Sequence, residues 1–401
     1  MRGRQGVQPG ALGLVDRAGH VLAGEVGRAE NAPVDRPHRD LPLLCTRSWV
    51  APWPRRGNGR PLDPDHGAAR AGRAWGRRGG RGMNRRGVIG LGLAAAAAAV
   101  TAAPVRRSFD AALTEARARI AAPAALAATR FGPVQWAEAG DGPPVLMLHG
   151  TGGGFDQGLL FCRRLASAGW RVIAPSRFGY LGTPMPAAAS PAAEADAMAD
   201  LLDTVGIARL PVMGGSAGAI PAIEFAIRHP DRCAALVAIV PAAHAPGRPP
   251  MRPGALGAAV MRHALRSDFV FWAGMELAED TMIRTLLATD PALVRAVHPA
   301  ERARARDILR TILPVSARAE GLLHDARWAG DPPEQPLERI AAPTLAVACE
   351  DDFFLTHDAA RHIARIVPDA ELVSFPTGGH IWVGHDAEVF AAIDAFLRRR
   401  A

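Results

Sequence analysis

The chain has 401 residues, 49% of them apolar and 21% charged, a balance that excludes a polytopic membrane protein and a wholly disordered chain. At about 100–200 residues per domain, the length fits two or three domains, or one large α/β domain with appendages. The net charge of +8 invites a nucleic-acid reading, but residues 1–82 hold 15 of the 47 cationic side chains and 7 of the 39 acidic ones, while the rest of the chain holds 32 of each. The basic excess belongs to the first fifth alone, and nucleic acid is not an expected partner. Every cation is Arg.

Residues 1–82 contain 23 Gly and Pro but only 13 Leu and Val, with no Ile or Phe. That is too little apolar surface to offset the entropy of ordering the segment. The expectation is a disordered extension, with Met83 as an alternative start of translation. Met83-Asn84-Arg85-Arg86-Gly87 is then a short basic segment ahead of an uncharged Ala/Gly-rich run, Val88 to Ala103, that ends in small residues before Pro104. This layout matches an export signal, and the paired Arg resembles a twin-arginine signal. The run is shorter than the roughly 20 residues of a spanning helix, so residues 83–104 read as an export signal or a membrane tether through 88–103. An extracytoplasmic location follows, with a cytoplasmic one as the alternative.

From residue 129 onward short apolar runs alternate with helical patterns. Strands are predicted at Phe131–Glu138, Val145–Leu148, Arg171–Ala174, Leu210–Met213, Ala235–Val240, Thr344–Ala348 and Glu371–Ser374. Helices are predicted at Asp156–Ala168, Ala192–Val205, Ile220–Ile227, Asp358–Ile366 and Asp386–Leu397. Such alternation implies a mostly parallel sheet with helices on both faces. Residues 242–338 are helical in pattern and read as a cap, which divides the α/β core into 105–241 and 339–401. Cys162, Cys233 and Cys349 are widely spaced, with Cys45 in the N-terminal extension; they form neither a metal motif nor a disulfide framework.

Gly214-Gly215-Ser216-Ala217-Gly218 is a G-x-S-x-G motif placed between a predicted strand and a predicted helix. A strand turning that sharply forces the central residue into a strained backbone and lifts its hydroxyl above the sheet edge. Ser216 is the candidate nucleophile, and it needs a base. His380 follows the last predicted strand; His385 is the lesser candidate. The base in turn needs an acid to hold its tautomer, from Glu350, Asp351 or Asp352, of which Asp352 lies furthest into its loop. His149-Gly150-Thr151-Gly152-Gly153-Gly154 follows the strand at 145–148. A backbone N–H from Thr151 or Gly152, together with that of Ala217, offers an oxyanion hole. Gly150 is a candidate substrate contact, and Trp382, beside His380, either lines the pocket as a second such contact or belongs to the core. Met251, Met261, Phe269, Phe271, Trp272 and Met275 suit an apolar pocket or the packing of the cap.

In this order, the His-Gly loop, the Ser elbow, the helical insert, the Asp and the His resemble the α/β-hydrolase superfamily over residues 129–401. The resemblance implies an eight-stranded sheet, a cap between strands six and seven, and a Ser216–His380–Asp352 mechanism with no cofactor and no metal. Two departures stand out. The loop Pro175-Ser176-Arg177-Phe178-Gly179-Tyr180 lacks the Asp common at its start, and Cys349 stands where many members carry Gly. The expected activity is hydrolysis of a small carboxylic ester. A carbon–carbon bond hydrolase or a cofactor-free haloperoxidase or perhydrolase would use the same three side chains, and a non-catalytic binding module is the third class.

Overall fold

The computed structural model describes residues 13–14, 85–251 and 254–400. They fall into two units, one of Met1–Val21 with Val100–Ala401 and the other of Leu22–Ala99. Cys45 and most of the N-terminal extension lie outside the described residues. The run Val88–Ala103 falls within helix α1, Arg85–Ile120. Among the described residues no helix is long and apolar enough to cross a membrane.

The sheet consists of β1 Ala125–Thr129, β2 Gly132–Ala139, β3 Pro144–Leu148, β4 Arg171–Pro175, β5 Leu210–Gly215, β6 Cys233–Ile239, β7 Thr344–Cys349 and β8 Ala370–Phe375. Their order is β1-β2-β4-β3-β5-β6-β7-β8, and Gly13–Leu14 pair antiparallel with Val373 and Ser374 at the outer edge. β1, β2 and β4 pair antiparallel, and every pair from β4 across to β8 is parallel. Seven of the eight strands are legible in the sequence. β1 is not: four of its five residues are Ala or Thr without alternation, and it is held by pairing with β2.

The strand residues alternate between two cores, as the period of 2 requires. On β3, Leu146 and Leu148 join one cluster, with Met198, Leu201, Leu202, Phe225 and Ile363. Val145 and Met147 join the other, with Phe390, Ile393 and Phe396. Helices α4 Pro191–Thr204, α5 Ala219–Arg228 and α12 Thr356–Ile366 cover the first face. α13 Asp386–Arg400 covers the second. Ser190 caps α4 by accepting from the Ala193 N–H at 3.1 Å, with Pro191 at the first helical position, as helix starts prefer. The helix expected over Asp156–Ala168 is two short ones, α2 Phe155–Phe161 and α3 Arg163–Ser167, parted by Cys162 at ψ 12°.

Between β6 and β7 the chain forms α6 Ala255–Ala264, α7 Asp268–Leu277, α8 Glu279–Leu286, α9 Pro291–Ala296, α10 Pro299–Thr311 and α11 Ala319–Trp328. These helices share a core of Phe271, Trp272, Ile283, Leu287, Ile308 and Leu313, into which Ala116 of α1 also packs. Phe109 of α1 meets the rings of Phe269 and Trp272 at 5.3 and 5.6 Å between centroids. β3 and β5 are adjacent, but the connections from β3 run outward to β4 and those from β5 outward to β6. Their carboxyl ends therefore border a crevice where the strand order reverses, the usual ligand site of open α/β sheets.

Candidate active site

The site begins at the end of β5. Ser216 has φ 51°, a left-handed backbone that a serine adopts only under constraint. Two of the flanking glycines are required by space. A Cβ on Gly214 would stand 2.4 Å from the Gly218 carbonyl oxygen, and one on Gly218 would stand 2.3 Å from that of Leu148. The strand, the turn and the first helical residues are thus in backbone contact. Ser216 and Ala217 open the 3₁₀ turn that leads into α5, so their N–H groups belong to an electropositive helix start.

His380 stands in the turn after β8, and its Nε2 lies 2.9 Å from Ser216 Oγ. Its Nδ1 lies 2.8 Å from Asp352 Oδ2. Asp352 is 2% exposed. Its Oδ1 accepts from the Phe354 N–H at 2.8 Å, and its Oδ2 also accepts from the Thr356 hydroxyl. An acid so fixed presents one oxygen to the imidazole. Phe354 packs edge-on against His380 at 4.9 Å between centroids. Of the other two acids, Glu350 is exposed. Asp351 is not a merely solvated loop residue: it accepts from the N–H groups of Gly378 and Gly379 at 3.2 and 2.7 Å, and so ties down the turn that carries His380. His385 points away, to Glu388 at 2.6 Å and the ring of Phe375.

The glycine-rich loop after β3 is pinned from below by charges the sequence did not reveal. His149 is fully buried. Its Nδ1 donates to the Gly150 carbonyl at 2.7 Å and its Nε2 accepts from the Arg177 N–H at 3.0 Å. Burial first, and the Arg177 charge second, hold its pKa well below the ordinary imidazole value. Arg177 forms a bidentate pair with Asp325 of α11 at 3.1 and 2.7 Å, and meets Glu194 of α4 at 3.3 Å. Burial opposes its charge, but the two carboxylates outweigh that and raise its pKa. Tyr180 donates to Asp325 Oδ2 at 2.6 Å and accepts from the Gly152 N–H at 3.1 Å. Arg318, also from the insert and fully buried, bonds the Gly153 carbonyl and Asp156. The Gly152 N–H is thus directed at Tyr180 Oη and not at Ser216. The Thr151 N–H donates to no group among the described residues.

A cavity of about 300 Å³ opens beside these groups. Gly150, Thr151, Ser216, His380 and Trp382 line it, with Met251, Met261, Phe271, Leu287, Ile308 and Ile312 from the insert. Of the insert side chains expected at a pocket, Trp272 packs in the insert core and Phe269 is exposed. Trp382 lines the cavity and is 3% exposed, so it serves both as wall and as core. Ser216, Val240 and Trp382 all have positive φ and all line the cavity. No cluster of metal-ligating side chains occurs among the described residues.

Fold and site together define the class: the chain belongs to the α/β hydrolase fold family, whose model matches residues 143–383, and it is an enzyme with hydrolase activity. A 2-hydroxy-6-oxo-6-phenylhexa-2,4-dienoate hydrolase of Comamonas testosteroni is 28% identical over 284 residues, covering 67% of this chain and 92% of that one. The enzyme of the same description from Burkholderia cepacia is 26% identical over 266 residues, covering 63% and 86%. Among solved structures, an α/β hydrolase fold protein from Nakamurella multipartita aligns with a TM-score of 0.52 and 28% identity over 69% of this chain and 99% of that one.

Two outcomes follow from the buried charges. Asp325→Asn leaves Arg177 with Glu194 alone; breaking a buried pair this way costs about 3–5 kcal/mol. The urea midpoint falls accordingly, and an unchanged midpoint would show that the pair does not hold the insert. His149 titrates near pH 6.5 when unfolded and well below that when folded. Its contribution is therefore complete above pH 6.5 and is lost as pH falls toward the folded value, because only the unfolded chain takes up the proton. His149→Asn flattens the fall in unfolding free energy between pH 7 and pH 5; an equally steep fall in the variant refutes this assignment.

Proposed function

We propose that the protein cleaves a small carboxylic ester through an acyl-enzyme on Ser216. The observation that carries this reading is the continuous contact from Ser216 Oγ through the His380 imidazole to Asp352. His380 Nε2 takes the hydroxyl proton as Ser216 Oγ attacks the ester carbonyl carbon. Asp352 keeps the Nδ1 proton in place and stabilises the imidazolium. The N–H groups of Thr151 and Ala217 bind the oxyanion. The carbon–oxygen bond breaks, the alkoxide leaves with the proton from His380, and the acyl group stays on Ser216. Water, deprotonated by His380, then attacks the acyl carbon; the bond to Ser216 Oγ breaks, His380 returns the proton to that oxygen, and the acid leaves. The helices between β6 and β7 act as a cap that shields this chemistry from bulk water.

A second reading is favoured by the relatives, which are described as hydrolases of 2-hydroxy-6-oxo-6-phenylhexa-2,4-dienoate. On such a substrate the same serine or an activated water would attack a ketone, and a carbon–carbon bond would break. Ser216→Ala abolishes release of p-nitrophenol from p-nitrophenyl acetate and labelling by a fluorophosphonate. Labelling undiminished in the variant removes Ser216 from this role. Assaying native enzyme on esters and on vinylogous 1,5-diketo acids side by side separates the two bond classes.

The segment 83–104 directs export or tethers the chain at a membrane, a reading supported by Arg85-Arg86 ahead of an uncharged run. N-terminal sequencing of the protein from its native source yields a start at or beyond Met83; a mature chain that starts at Met1 overturns this.

A further inference from the structure

The cavity beside Ser216 is walled mainly by apolar side chains, but Arg248 also lines it, as does Asp325, whose carboxylate is already taken by Arg177 and Tyr180. Among the described lining residues Arg248 is the only cationic one. It lies in the segment between β6 and α6 and is partly buried. Its Nη1 donates to the Ala243 carbonyl at 3.1 Å, and its Nε and Nη2 donate to the Phe354 carbonyl at 3.3 and 3.0 Å. These contacts occupy three of its five N–H groups and all end on neutral oxygens.

The fully buried arginines among the described residues are treated differently. Arg177 is paired with Asp325, Arg304 with Glu301 and Arg318 with Asp156. Arg248 has no carboxylate at ion-pair distance among the described residues. Burial lowers its pKa, and Asp352 and Asp358 act on it only through space. Asp352 is in any case committed to His380, Thr356 and the Phe354 N–H. A cation partly withdrawn from water with no carboxylate in contact is costly, and an anion entering the cavity offsets that cost. Arg248 also grips the carbonyl of the residue whose ring packs against His380, and all three residues line the cavity.

We propose that the ligand of this cavity carries a carboxylate, bound by Arg248, in addition to the carbonyl that Ser216 attacks. The proposal deepens the functional reading above and rests on it for the reacting carbonyl. Arg248 then determines specificity: the apolar wall takes the body of the substrate, and the guanidinium selects acids over neutral analogues of the same shape.

The test is binding by calorimetry at pH 7.5 in Ser216→Ala, with 5-phenylvalerate and its uncharged amide as probes. The acid binds about tenfold more tightly than the amide, the scale of one hydrogen bond to a charged group. Adding Arg248→Gln reduces that ratio to near one, and Arg248→Lys retains part of it. Equal affinities in the parent, or a preference that survives Arg248→Gln, overturn the proposal. So does an equal loss of both probes in Arg248→Gln and Arg248→Lys, which would mean that the arginine only ties the Phe354 loop. The measurement needs no turnover. A failure of Ser216 to react would therefore sink the acyl-enzyme and leave the acid preference standing, and the converse result would remove the carboxylate site alone.

Discussion

The guanidinium of Arg177 is the constraint on which the site depends. It is 3% exposed and lies between Glu194 on the α/β core and Asp325 on the insert. A charge so deep is tolerable only with partners, and its partners come from the two parts of the fold that enclose the cavity. The same side chain bonds the His149 carbonyl, and its backbone N–H reaches the His149 ring. Docking of the insert and the shape of the glycine-rich loop are thus linked through one ion, with Arg318 as a second tie to Gly153 and Asp156. Gly150 of that loop packs closely against Ser216, where a Cβ would stand 3.2 Å from the serine Cβ, so removing the insert would disturb the surroundings of Ser216 as well as the cavity wall.

The elements were legible where composition and period agree. β3, β5 and β7 are short apolar runs bounded by Gly or acidic loops, and all were visible. Ser216, His380 and Asp352 were legible because each follows a strand and has a residue type suited to proton transfer. β1 was hidden because alanine has no preference for a strand. Asp325 and Arg318 were hidden for a different reason. They occur in a helical segment rich in charges, where a carboxylate or guanidinium ordinarily faces solvent, and only tertiary contact turns these two inward. The missing Asp in the 175–180 loop was the available signal. A loop that lacks its usual acid and gains Arg177 needs an acid from elsewhere.

The choice between Thr151 and Gly152 could not be read from the sequence, because both are small residues in one loop. What separates them in the structure is a single hydroxyl, Tyr180 Oη, which takes the Gly152 N–H. Tyr180 is also the only tyrosine in the chain, and it is completely buried. Burial, reinforced by Asp325, pushes its pKa well above the usual phenol value, so it stays a neutral donor toward Asp325 and an acceptor for the loop. Strain is concentrated in the same neighbourhood. Ser216, Val240 and Trp382 hold positive φ angles around one cavity, each at an expense of about 1–3 kcal/mol that the surrounding packing must cover.

The far end of α1 lies across this arrangement. Arg119 bonds Asp156 at 2.9 Å and the Leu313 carbonyl at 2.6 Å, and Asp156 is the carboxylate that also receives Arg318. Phe109 covers the aromatic residues of α7. The helix that leads into the enzyme is therefore also a strut against its roof. A recombinant boundary placed within the N-terminal residues should fall upstream of Phe109, since cutting at β1 would strip Asp156 of one cation and uncover the flank of the insert.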